Sequence, residues 1–120
     1  MKIQNAVALV TGANRGLGLA FTQALLAGGA RKIYAAARDP ASVKQAGVEP
    51  VRLDVTNAEQ VAATAAELGD VTLVINNAGI IRGSGFLGEK GVEAVRAELE
   101  TNFFGPVHVS RAFAPILGRN

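Results

Sequence analysis

The sequence predicts an α/β fold in three layers, with four mostly parallel strands and helices on both faces of the sheet. Three observations carry that prediction. Short apolar runs alternate with segments of helical spacing in the order βαβαβαβα, and the connections between them are short. Parallel strands need crossover connections, and right-handed helical crossovers place helices on both sheet faces. Of 120 residues, 49% are hydrophobic, with Gly 14 but Phe only 5, one Tyr and no Trp, a composition that lets helices pack closely on a sheet. That length and apolar share suit one core and one domain over residues 1–120, and a charged share of 18% argues against wholesale disorder.

Ala6–Val10 is a continuous apolar run ending in Thr11-Gly12, which suits a strand buried on both faces. Leu17, Phe21, Ala24, Leu25 and Gly28 then recur at helical spacing, and Gly28-Gly29 ends that helix. Lys32–Ala37 reads as the second strand. Asp39 caps and Pro40 opens a short helix through about Ala46. Pro50–Leu53 is a third short strand. Thr56 and Glu59 fit a capping box, in which hydroxyl and carboxylate satisfy two amide donors at a helix start. Val61, Ala65 and Leu68 form the inner stripe of that helix, and Val71–Ile75 is the fourth and most apolar strand.

A Gly-rich loop from Gly79 to Gly91 leads to a long helix with Val92, Val95, Leu99 and Phe103 on one face. Gly105-Pro106 interrupts it: proline lacks the N–H that would bond the carbonyl of Asn102, so a bend or end is expected there. There is no internal repeat, low-complexity tract or linker. Four strands, where a doubly wound domain usually has about six, make the array half of such a domain.

Several function classes are excluded. A sequence without Cys has no disulfide framework or thiolate metal site and suits a reducing cytoplasm. A net charge of +2, evenly scattered, offers nothing to nucleic acid. No apolar run approaches the roughly 18 residues of a membrane span, and the N-terminus reaches Thr11-Gly12 too soon for a secretory segment. A soluble cytoplasmic domain with no nucleic-acid or membrane partner is expected. His108, the only histidine, cannot build a metal site and reads as structural. Ser84 and Ser110 lack a histidine–carboxylate arrangement for nucleophilic chemistry. Glu89, Glu93, Glu98 and Glu100 read as decoration on the exposed face of the last helix, and Arg82 as a mobile surface residue.

The chemistry concentrates after the first strand. Gly12-x-x-x-Gly16-x-Gly18 lies between a strand and a helix, where glycines let the backbone turn sharply toward a pyrophosphate. The helix start there supplies N–H groups and positive potential. A purely structural turn is the alternative.

The spacing resembles the signature of the short-chain dehydrogenases/reductases, a family of Rossmann-fold NAD(P) enzymes. Asp54-Val55-Thr56 after the third strand, Asn76-Asn77-Ala78-Gly79 after the fourth and Asn102 in the last helical region follow in the expected order. The resemblance covers residues 6 to 117 and implies a Rossmann-like half. It implies that Gly12, Asn14, Arg15, Gly16, Leu17 and Gly18 line the pyrophosphate and adenosine phosphate region. It implies that Asp54 and Val55 contact adenine, and that Asn77, Ala78 and Gly79 pass the ribose and nicotinamide side, with Asn77 also tying the fourth strand to the Thr11 turn. Read alone, Asp54 could equally be a residue at a helix start, and Asn76-Asn77 a tight loop.

Cofactor choice follows from charge. An NAD site needs an acidic side chain at the end of the second strand, where this sequence has Ala36-Ala37-Arg38. Asp39 comes too late and is assigned to capping. Arg38, with Arg15 facing the same spot, suits a 2′-phosphate, so NADP(H) is favoured over NAD(H); two solvated surface arginines are the alternative.

The family donates a proton from a Tyr activated by Lys, beside a carbonyl-polarising Ser and an Asn that completes a tetrad. The resemblance places Asn102 at the Asn position, with its main-chain carbonyl available to hold water near that Lys. The only tyrosine, Tyr34, lies in the second strand and is followed four residues on by Arg38, not Lys. The sequence is therefore expected to be an NADP(H)-binding half truncated before the catalytic Ser and Tyr-x-x-x-Lys, and inactive alone. Alternatives are an engineered or naturally truncated folding module with no ligand function and an empty site, or a fragment active only when complemented. An apolar edge at Val71–Ile75 would invite a homodimer through that edge or the last helix, or a rearranged, flavodoxin-like strand order.

Overall fold

Val7, Ala8, Leu9 and Val10 have no solvent exposure, the burial that a continuous apolar run requires when helices cover both sheet faces. They form β1 (Val7–Thr11), an inner strand in the computed structural model, which describes residues 2–83, 85 and 87–120. Ser84 lies outside the described residues. The sheet runs β3-β2-β1-β4, with β2 at Lys32–Ala37, β3 at Glu49–Arg52 and β4 at Leu73–Ile75. All three pairings are parallel, with Val7 opposite Lys32, Leu9 opposite Val74 and Ala37 opposite Arg52.

This order rules out the flavodoxin-like rearrangement. Polar ties fix β4 beside β1 at both ends: the Val7 amide donates to Thr72 Oγ1 at 3.0 Å, and the Asn77 amide donates to Thr11 Oγ1 at 3.0 Å.

The helices are α1 (Gly16–Ala27), α2 (Ala58–Glu67), α3 (Gly91–Leu99) and α4 (Gly105–Arg119). Each sheet face carries its own core. Under α2 and α4 lie Val7, Leu9, Tyr34, Val61, Val109 and Phe113; on the α1 face lie Ala8, Val10, Leu25, Ile33 and Ala35. The expected stripe of α2 is buried at Val61, Ala65 and Leu68.

Three local expectations change. The short helix after Asp39 is one 3₁₀ turn, Pro40–Ser42, with Asp39 Oδ1 accepting from the Ala41 amide at 3.0 Å. The segment has only Val43 to bury, too little to extend a helix to Ala46. The cap of α2 is Asn57, not Thr56: Asn57 Oδ1 accepts from the Gln60 amide at 3.0 Å. Gln60 Oε1 reaches past the cap to accept from the Asp54 amide, so the second half of the expected box bonds ahead of the cap residue and not to it.

The long helix does not end at Gly105-Pro106, because helical structure runs without a break from Gly91 to Arg119. Between α3 and α4 runs a π segment, Glu100–Phe104, in which the Gly105 amide donates to the Glu100 carbonyl five residues back. This wider turn absorbs the donor that Pro106 lacks. Close packing favours glycine at 105, because a Cβ there would lie 2.7 Å from Val55 Cγ2. The large side chains of α3 and the π segment face outward: Val92 is 64% exposed and Phe103 57%, while Gly91 and Ala94 turn inward.

At the N-terminal end of the sheet a polar clamp joins β2 to the segment before β4. The Tyr34 hydroxyl donates to Asp70 Oδ1 at 2.9 Å, and Lys32 Nζ donates to Asp70 Oδ2 at 3.0 Å and to the Tyr34 hydroxyl oxygen at 3.1 Å. Burial raises the Tyr34 phenol above its ordinary value. Burial works against the Asp70 charge too, but the Lys32 and Tyr34 hydrogen bonds outweigh it and hold the carboxyl below its ordinary value.

Candidate functional site

β1, β2 and β4 point their C-terminal ends at one cleft of about 790 Å³. Its floor is the turn after β1. Gly12 and Gly16 take left-handed φ values of 63° and 57°, which side-chain-bearing residues adopt only with strain. A Cβ on Gly12 would also lie 2.9 Å from Ala78 Cα. The turn thus needs glycine for both its conformation and its closeness to the loop after β4. From Gly16 onward α1 begins, and the first turn of any helix leaves N–H groups without intrahelical partners.

Thr11 and Asn77 lock turn and loop together. Thr11 Oγ1 accepts from the amides of Asn77 and Ala78, each at 3.0 Å. Asn77 Nδ2 donates to the carbonyls of Thr11 and Gly12, each at 3.1 Å. The expected tie between the fourth strand and the Thr11 turn is present.

Gly12, Asn14, Arg15, Gly16, Arg38, Asp54, Val55, Asn77, Ala78 and Gly79 all line the cleft. Leu17 and Gly18 do not. The Leu17 side chain is 72% exposed, and Gly18 packs α1 against the Gly12 carbonyl, so any part they play runs through the backbone. Asp54 does local work as well, its Oδ1 accepting from the Thr56 amide at 3.0 Å and hydroxyl at 2.7 Å. The Val55 side chain is buried against Gly105, which leaves its main chain to face the cleft. Asp39 and Ser42 line it too, at the end of β2.

Asn102 stands in the π segment, and its side chain reads the backbone of Ile80 from both sides. Its Oδ1 accepts from the Ile80 amide and its Nδ2 donates to the Ile80 carbonyl, both at 2.8 Å. One turn earlier Glu98 Oε1 accepts from the Arg82 amide at 2.8 Å. These two rungs pin residues 80–82 along the rim of the cleft. They give Glu98, expected to be surface decoration, a partner in the loop, and they tie down the main chain at Arg82, whose side chain is exposed. Nothing in the loop's own pattern signals them, although the spacing of Glu98 and Asn102, one helical turn apart, puts both on one side.

Trypsin cleavage after Arg82 measures this latch. Asn102→Ala removes two hydrogen bonds of ~1 kcal/mol each and is expected to speed cleavage about thirtyfold. Glu98→Gln, which keeps an acceptor, should cleave near the wild-type rate. An unchanged rate in Asn102→Ala would show that the loop is held by other means.

Fold and cleft together define half of a doubly wound α/β domain with a glycine turn at its strand ends. The family description "short chain dehydrogenase" matches residues 6–120, and the chain belongs to that family. Galactitol 2-dehydrogenase from Agrobacterium fabrum is 35% identical over 128 residues, covering 98% of this chain and 49% of that protein. A crystal structure of a short chain dehydrogenase from Burkholderia cenocepacia in complex with NADP has a TM-score of 0.94 at 48% identity. It covers 100% of this chain and 52% of that one. A short chain dehydrogenase/reductase from Burkholderia phymatum in complex with NAD has a TM-score of 0.84 at 34% identity, covering 99% of this chain and 47% of that one. The chain spans about half the length of these three proteins. Among the described residues no helix is long and apolar enough to cross a membrane, and no cluster of His, Cys, Asp and Glu could hold a metal ion.

Proposed function

We propose that this chain binds NADP(H) as the dinucleotide-binding half of a short-chain dehydrogenase/reductase. The observation that carries the reading is the pair Arg15 and Arg38, which line the cleft where β2 ends in alanines with no carboxylate. Forked guanidinium groups suit a 2′-phosphate. Asp39 lines the same end, but its Oδ1 is engaged by the Ala41 amide.

The remaining residues fit the cofactor. Gly12, Asn14 and Gly16, with the first-turn backbone of Leu17 and Gly18, would receive the pyrophosphate. Asp54 and Val55 would border adenine, and Asn77, Ala78 and Gly79 the nicotinamide side, with Asn102 holding that loop. The nicotinamide supplies the hydride when bound, and carbonyl reduction also needs a proton donor. Tyr34, the only tyrosine, is buried and bonded to Lys32 and Asp70 at the opposite end of the sheet. The reading therefore separates cofactor binding, which this chain carries, from turnover, which it does not perform alone.

The neighbour described with NADP supports this choice. The neighbour described with NAD, together with Asp39 in the cleft, favours a second reading in which NAD(H) binds. Calorimetric titration decides between them. NADPH is expected to bind more tightly than NADH, and Arg38→Ala to weaken NADPH alone by about tenfold, the scale of one charge-assisted contact. Equal affinities in the wild type would defeat the NADP(H) reading, and no binding of either would leave a folding module without ligand. Adding the second half of a relative in trans and assaying carbonyl reduction tests complementation.

The reading places the protein in the cytoplasm, which a cysteine-free sequence suits. It also includes a homodimer, because β4 is an edge strand and Val92, Val95, Leu99 and Phe103 form an exposed apolar face. Light scattering should give a dimer mass, and Phe103→Asp should shift it toward the monomer. A monomeric wild type at high concentration would remove this part of the reading.

A further inference from the structure

The charged side chains that line the cleft balance: Arg15, Arg38 and Arg82 against Asp39, Asp54 and Glu100, three cations and three carboxylates. A phosphate monoester carries about −1.5 to −2 at neutral pH, so a balanced lining gives it little net attraction. One more cation stands beside this set. Arg52 is the last residue of β3, opposite Ala37 in the β2 ladder, and its Nη1 donates to the Arg38 carbonyl at 3.2 Å. At Arg38 the backbone has left the ladder and turns toward Asp39-Pro40, so its carbonyl takes a partner from a side chain.

We propose that Arg52 is a positioning residue for recognition of the 2′-phosphate of NADP(H), acting through the Arg38 peptide and through its own charge. Its hydrogen bond fixes the peptide from which the Arg38 side chain departs, which sets the direction of that side chain at the rim of the cleft. Its guanidinium adds a positive charge outside the balanced lining, at the strand end that leads into Asp54. The fork has further N–H donors beyond the one on the carbonyl, so holding the peptide does not exhaust it. The inference rests on the NADP(H) reading above and adds a residue outside the cleft lining.

Adenosine 2′,5′-bisphosphate and AMP differ only in the 2′-phosphate, so their affinities for this chain isolate the contact. Arg52→Ala is expected to weaken the bisphosphate about fivefold, the scale of one exposed charge interaction, and to leave AMP unchanged. Arg52→Lys keeps the charge without the fork and should recover part of the loss at low salt, less as salt rises. Circular dichroism of both variants checks that the sheet is intact. Equal weakening of both probes would overturn the proposal, since Arg52 would then only shape the turn. An unchanged bisphosphate affinity in Arg52→Ala, with a selective loss in Arg38→Ala, would also overturn it while leaving the NADP(H) reading standing. No selective loss in Arg38→Ala, or no binding of either probe to the wild type, would overturn both.

Discussion

Replacing Gly18 with alanine is expected to abolish dinucleotide binding and to cost about 3 kcal/mol of stability, the upper range for overpacking. A Cβ on Gly18 would overlap the Gly12 carbonyl oxygen and come within 2.6 Å of Asn77 Nδ2. Neither neighbour yields cheaply. The Gly12 carbonyl and the Asn77 amide are bonded to each other at 3.1 Å, and the same amide holds the Thr11 carbonyl. The first turn of α1 would have to lift from the glycine turn, carrying its N–H groups away from the cleft. Urea unfolding and NADPH titration read the two effects separately. A wild-type unfolding midpoint with retained binding would show that α1 is free to shift and that the close packing has no role.

Phe113→Ala is expected to cost about 3–5 kcal/mol, the range for emptying a fully buried aromatic site. Phe113 has no solvent exposure and packs in the core beneath α2 and α4. Such a loss is a large fraction of the ~5–15 kcal/mol that holds a typical domain together. Leu117, one helical turn on, is 37% exposed, and Leu117→Ala is expected to change stability by about 0.5 kcal/mol or less. The contrast tests which face of α4 meets the sheet. Similar losses at the two positions would mean that α4 packs by a different face.

What the sequence could show depended on whether burial or closeness decided the local structure. β2 occupies the residues expected from the run Lys32–Ala37, and the other three strands lie within two residues of theirs at either end. Apolar runs buried on both faces leave few other solutions. The last helix shows the opposite case. Val92, Val95, Leu99 and Phe103 outrank Gly91, Ala94 and Gly105 on hydrophobicity, yet the small residues turn inward, and at Gly105 the reason is a close approach to Val55 beside the cleft. An apolar stripe does not report such an approach.

The site divides in the same way. The glycine turn, Asp54 and the Asn76–Gly79 loop were legible because each follows a strand in a recognisable order. The work of Asn102 and Glu98 was not, because their partners are backbone groups of a loop with no periodicity. The Gly105-Pro106 pair was legible as a defect but not as a remedy. The wider turn before it and the contact of Gly105 with Val55 are long-range facts.

β4 has only three residues in the ladder, but it is stopped at both ends. Asp70 is clamped to Lys32 and Tyr34 before it, Thr72 is bonded to Val7 at its start, and Asn77 is bonded to Thr11 after it. A strand held between two fixed stops behaves as a gauge block, whose length in residues calibrates how far the Asn77–Gly79 loop stands above the rim of the sheet. Side chains alternate with a period of two, so losing one residue between the stops would reverse the pleat as well as shorten the span. The depth of the cleft is thus a tolerance machined into the backbone count of its edge strand, at positions no ligand would touch.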